Sequence, residues 1–196
     1  MIFGGEGEEA EIEGVVKSEG CKVLGWRDVP ANPDAIGRDA RKVMPRIRQL
    51  FIAAGSVSSQ NPVNPVNPVK EDFERRLYVI RRQIEKATKK TYVCSCSART
   101  IVYKGLLLAT QIERFYPDLS DPDFVTPFAI VHQRYSTNTF PSWELAHPFR
   151  AIAHNGEINA LKGNLNALAA REPSLASPER FATMPTPHAS CSYSRR

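Results

Sequence analysis

The chain offers no apolar run near the ~18 residues that a membrane-spanning helix requires, so the sequence gives no reason to expect a membrane partner. It has four cysteines, at positions 21, 94, 96 and 191, without the even spacing of a disulfide framework. No two histidines stand in His-x-x-x-His spacing, and no Cys-x-x-Cys pair is present, so the usual zinc signatures are missing. The opening is not basic: Glu6, Glu8, Glu9, Glu11 and Glu13 fall in the first thirteen residues, the reverse of a secretory signal or transit peptide. These absences together lead to the expectation of a reduced, cytoplasmic setting.

What is present is a chain of 196 residues, 42% hydrophobic and 24% charged, in the ordinary range for a globular protein with its own core. The formal net charge of +5 is too mild to indicate a nucleic-acid partner. Apolar periodicity predicts a helix over 8–19, with Ile12, Val15 and Val16 on one face and Gly20 as its C-cap. Strands are expected at 22–26 and 46–52. The tripeptide repeat NPVNPVNPV (61–69) predicts an extended surface loop, since proline cannot supply a sheet ladder; a proline-recognition ligand is the alternative.

Phe73, Leu77, Ile80, Ile84 and Ala87 mark an amphipathic helix whose other faces carry seven basic residues between Arg75 and Lys90. They lack the repeated aromatic interleaving that base stacking uses, which favours a solvated face over a nucleic-acid surface. Residues 92–97 and 99–105 read as a hairpin, with Cys94 and Cys96 on one strand face as small buried side chains rather than zinc ligands. A short helix is expected over 111–116, and buried strands at 128–131 and ending at 152. Leu161, Leu165 and Leu168 recur at helical spacing.

Polar chemistry is concentrated in 131–159. His132, His147 and His154 lie there, with Arg134, Thr137, Asn138, Asn155 and Asn159. A metal site from the three histidines is one reading, weakened by the absence of ligand spacing. Recognition of a small zwitterionic amide is another. Arg134 offers a planar fork that matches a carboxylate. The Asn155 amide and the Gly156 N–H are two donors that a strand-to-helix turn can aim at one developing oxyanion. A plain helix-capping turn at Asn155-Gly156 is equally compatible with the residues.

The stretch VHQRYSTNTFPSWELAHPFRAIAHNGEINALKGNLNALAARE (131–172) resembles the class II glutamine amidotransferase domain of the glutamate synthase large subunit. So do VLGWRDVP (23–30), FERRLYVIRRQIEKA (73–87) and CSARTIVYKGLLLATQIERFYPDLSD (96–121), in the same order and spacing. The resemblance covers roughly residues 8–180. It implies an α+β fold, the N-terminal-nucleophile type of four-layer αββα sandwich. It places the glutamine-carboxylate arginine on Arg134, the oxyanion-hole pair on Asn155 and Gly156, and Thr137 in the same pocket, with His154 as a neighbour only. It implies glutamine hydrolysis to glutamate and ammonia, for reductive transfer to 2-oxoglutarate.

The family's nucleophile is a cysteine at the first position of the mature chain. This chain opens Met1-Ile2-Phe3, and Cys21 has no terminal amine beside it and reads as packing. The nucleophile and first strands are therefore expected to be missing, and the chain alone to be inactive. Beyond Arg180 the sequence FATMPTPHASCSYSRR departs from the family. The expected organisation is a partial amidotransferase domain over 1–180, containing the 61–69 loop, and a divergent, disordered tail over 181–196. No metal or cofactor is expected in these residues. The parent enzyme implies FMN, an iron–sulfur cluster and NAD(P)H or ferredoxin, with glutamine, the rest of the large subunit and a small electron-donating subunit as partners. The competing reading is a degenerate, non-catalytic module that binds glutamine or a protein.

Overall fold

The computed structural model describes residues 1–55, 68–135, 140–149 and 161–175. The chain divides into two compact units, Met1–Gly156 and Glu157–Arg196. In the first, strand β1 (Ile2–Gly4) sends Ile2 and Phe3 into different core clusters on its two sides. Gly4 and Gly5 then take φ of +72° and +76°, and a Cβ on Gly4 would run into the Lys90 carbonyl oxygen. Only glycine turns the chain there without strain. Helix α1 (Glu9–Ser18) follows, with acids in its first turn and Lys17 in its last, which complements the helix dipole. Its buried residues, Ile12 and Val16, are one turn apart. Gly20, at φ +69°, ends it as expected.

Strands β2 (Lys22–Asp28) and β3 (Ile47–Ala53) pair antiparallel, and a register shift between Val23 and Gly25 interrupts the alternation. Val23 and Trp26 therefore reach the same core despite their odd spacing. Between the strands lies the short helix α2 (Arg38–Lys42). Helix α3 (Pro68–Ala87) opens inside the last NPV repeat, at a proline suited to a first helical turn. The loop expected over 61–69 thus loses its last two residues to the helix. Leu77, Ile80 and Ile84 are buried as their spacing predicts, but Ala87 is exposed and Thr88 is buried instead, its hydroxyl donating to the Ile84 carbonyl at 2.7 Å.

Three arginines of α3 pair with acids of the same helix. Arg76 meets Asp72 at 3.0 Å, Arg81 and Arg82 both meet Glu85 at 2.8 Å, and the Arg81 guanidinium lies 5.1 Å from the Tyr78 ring centre. Strand β4 (Thr91–Val93) pairs with β1, giving an antiparallel sheet in the order β2-β3-β1-β4. Helices α1 and α3 cover one face through Ile12, Val16, Leu77, Ile80 and Ile84. On the other face Phe3 and Ile47 meet Val29, Val102, Phe115, Tyr116 and Trp143. Phe115 belongs to the short helix α4 (Ile112–Phe115), close to where the sequence placed it. The result is a mixed α/β arrangement built on one small antiparallel sheet among the described residues.

Three expectations are corrected. The hairpin over 92–97 and 99–105 does not form: β4 ends at Val93 and its partner is β1. Side chains then take the main-chain donors a ladder would need. Ser95 Oγ accepts from Val102 N–H, and Ser97 Oγ from the N–H groups of Arg99 and Thr100. Because the strand stops there, alternation no longer holds. Cys94 joins the core with Phe3 and Trp143, while Cys96 packs against the helix-side core. The buried strand at 128–131 is also absent. Phe128 is 69% exposed and Val131 80%, and neither is in a strand. A β-prone run becomes a strand only where a partner edge is available.

In the second unit the described residues form helix α5 (Leu161–Leu175), as the leucine spacing predicts. The 181–196 tail, residues 61–67 of the repeat and residues 150–152, where a strand end is expected, lie outside the described residues.

Candidate functional site

Of the four residues singled out for binding and catalysis, Arg134 is described; Thr137, Asn155 and Gly156, like His154, lie outside the described residues. Arg134 is exposed, on an irregular segment that follows Val131. Two neighbours tether that segment. The Tyr135 hydroxyl lies 3.1 Å from the Gly105 carbonyl oxygen and 3.2 Å from that of Ser142, and burial pushes its phenol pKa up. The Arg134 main-chain N–H donates to His132 Nδ1 at 3.1 Å.

The His132 ring stacks on His147, with centroids 4.5 Å apart and planes inclined by 27°. His147 is buried and also meets Phe149 at 4.4 Å. Two of the three histidines in the polar stretch thus come together, but as a stack. Near-parallel rings do not converge their nitrogens on one ion, so the metal reading gains nothing from this pair. Among the described residues no group of three or more His, Cys, Asp or Glu could hold a metal.

Behind the stack sits Lys104, which is 2% exposed. Its Nζ donates to the Tyr92 hydroxyl at 3.0 Å and the Glu144 carbonyl at 2.8 Å, and lies 4.5 Å and 5.0 Å from the ring centres of Tyr92 and Phe149. It ties strand β4 to the segment bearing His147. Trp143 completes this wall: its Nε1 donates to the Ala40 carbonyl at 3.2 Å, and its ring is edge-on to Phe3 at 5.9 Å. Sequence reasoning missed Lys104, Tyr135 and Trp143. The usable signal was a lone lysine inside the apolar run Ile101-Val102-Tyr103-Lys104-Gly105-Leu106.

The VLGWRDVP motif serves packing of a different kind. Arg27 makes a two-pronged contact with Asp118, at 2.6 and 2.8 Å, and donates to Gln49 at 2.8 Å. Tyr103 donates to the same carboxylate at 2.9 Å. The Arg27 hydrogen bonds hold the Asp118 carboxyl below its ordinary range, while burial, then Asp118, pushes the Tyr103 phenol up to about 12. Asp28 pairs with Arg46 at 2.7 Å. Cys21 is buried in the helix-side core, as packing. With Cys94 and Cys96 in different cores, the described thiols do not fit an iron–sulfur cluster.

A model of the class-II glutamine amidotransferases matches residues 5–190, and the chain belongs to that family. Among curated proteins it is 50% identical over 157 residues to the glutamate synthase [NADPH] large chain of Bacillus subtilis, covering 78% of this chain and 10% of that one. It is 48% identical over 155 residues to the large chain of the same name from Azospirillum brasilense, covering 76% of this chain and 10% of that one. It is 45% identical over 179 residues to the chloroplastic ferredoxin-dependent glutamate synthase of Oryza sativa subsp. japonica, with coverages of 88% and 10%. The chain thus spans about a tenth of the length of these relatives. Among the described residues no helix is long and apolar enough to cross a membrane.

Proposed function

We propose that these residues are the glutamine-hydrolysing part of a glutamate synthase large chain. The observation that carries this reading is the family match over 5–190 together with 45–50% identity to three glutamate synthases from distant organisms. In this reading Arg134 binds the glutamine α-carboxylate, and its exposure on a tethered segment supports that role. Thr137 lines the same pocket. The Asn155 side chain and Gly156 N–H stabilise the oxyanion of the tetrahedral intermediate, where a single donor is worth ~10²–10³ in rate. In this reading the sheet and the helices α1 and α3 belong to one strand layer and one helix layer of an αββα sandwich.

Hydrolysis also needs a thiolate beside a base. In the longer protein, ammonia passes to 2-oxoglutarate at a second site, where FMN, an iron–sulfur cluster and NAD(P)H or ferredoxin supply the reducing equivalents. The partners are then the rest of the large chain and a small electron-donating subunit.

Calorimetry with glutamine tests the reading. The chain is expected to bind, and Arg134→Ala to weaken binding at least ~10-fold, the loss of a charged two-pronged contact. Asn155→Ala is expected to leave ground-state binding nearly unchanged. Ammonia release by the purified chain, abolished by Asn155→Ala, would show that turnover needs nothing beyond these residues. No binding at all, or binding indifferent to Arg134→Ala, would refute the assignment of Arg134.

A further inference from the structure

Arg134 sits on a segment with no ladder to hold it, yet recognition of a carboxylate by a planar guanidinium depends on direction. That direction begins with the main chain, which sets where the side chain leaves it. The donor–acceptor pair nearest to it is the Arg134 N–H on His132 Nδ1, at 3.1 Å. A side-chain acceptor at one residue taking the N–H two residues on is the geometry of an Asx turn, here made by an imidazole. The ring is fixed in turn: it stacks on His147 at 4.5 Å, and His147 is buried against Phe149 at 4.4 Å. Phe149 lies beside the Lys104 ammonium, whose hydroxyl partner Tyr92 is in β4. The stack therefore connects the Arg134 main chain to the sheet.

We propose that His132 is a positioning residue: its Nδ1 fixes the Arg134 main chain and so aims the guanidinium at the carboxylate of glutamine. The inference rests on the reading of Arg134 given above. It separates the two features of the imidazole. A phenyl ring at 132 keeps the stacking surface and loses the acceptor. An asparagine loses the stack but offers Oδ1 where Nδ1 was, and asparagine makes this turn by itself.

The test compares His132→Phe, His132→Asn and Arg134→Ala in this chain, by calorimetry with glutamine and by NMR exchange of the Arg134 amide proton. His132→Phe is expected to raise Kd about 3- to 10-fold, the range for one neutral hydrogen bond, and to speed amide exchange. His132→Asn is expected to stay within about 2-fold of the parent in both. A His132→Phe variant with parental Kd and slow exchange would overturn the proposal, and so would equal losses in the Asn and Phe variants, since a merely structural ring would produce them. The two readings fail differently. If the parent binds no glutamine, or binds it without Arg134, the functional reading falls. If binding requires Arg134 and ignores residue 132, only the positioning role falls.

Discussion

Replacing Gly105 by alanine joins the core to the site in one experiment. Gly105 has no side chain because Trp143 occupies the space. A Cβ built there would stand 2.5 Å from Trp143 Cζ3, 3.0 Å from Cε3 and 3.1 Å from Leu107 Cδ2. Carbon atoms rest at about 3.5–4.0 Å, so roughly 1 Å of overlap must be relieved. The indole cannot easily supply it. It is 2% exposed, packed on Phe3 and Phe115, and anchored by Nε1 on the Ala40 carbonyl. Overpacking of this kind costs about 1–3 kcal/mol, and the rigid surroundings place Gly105→Ala in the upper half of that range. The corresponding fall in Tm is about 4–10 °C for a unit of this size. Urea unfolding followed by far-UV circular dichroism measures it without relying on tryptophan emission. Trp143→Phe removes the two indole atoms that the new methyl meets most closely, so adding it should recover at least ~1 kcal/mol relative to the sum of the single changes. The Gly105 carbonyl also faces the Tyr135 hydroxyl beside Arg134, so glutamine binding should weaken along with stability. A Gly105→Ala protein within about 0.5 kcal/mol of the parent, or strictly additive single changes, would refute the packing argument.

Two further outcomes follow from the electrostatics. Asp118 has a depressed pKa in the fold, so its contribution is fully present above the ordinary aspartate value of about 4 and is lost as pH falls through the lower, folded value. With Arg27 partly exposed, the pair is worth about 1 kcal/mol or less. Asp118→Asn should therefore be slightly less stable at pH 7, and the gap should close in acid; a gap that widens below pH ~4 would contradict the sign. Burial pushes the Cys96 thiol up to about 11, and Cys94 is buried. Neither should react with iodoacetamide in the native protein at pH 8, as read by peptide mapping, and rapid labelling of Cys96 would show that its site opens.

The sequence alone determined the elements whose pattern is local. The α3 core positions Leu77, Ile80 and Ile84 repeat with helical spacing, and Gly20 ends α1 because only a residue at ease with positive φ closes a helix in that way. The family too was legible, since a 42-residue run with His-Gln-Arg and His-Asn-Gly at fixed separation is specific. Pairings between distant residues were not legible. Whether residues 92–105 form a hairpin depends on whether β4 finds β1 first, and β1 lies some ninety residues away. The same pairing ended β4 at Val93 and sent Cys94 and Cys96 into different cores. Near Arg134, sequence supplied the charged group, but not the His132 Nδ1 that accepts its main-chain N–H, on a ring stacked against His147, fifteen residues further on. Local pattern fixes how a segment buries itself. Only the tertiary structure decides which edge it meets, because that choice is a competition among partners the segment's own residues do not encode.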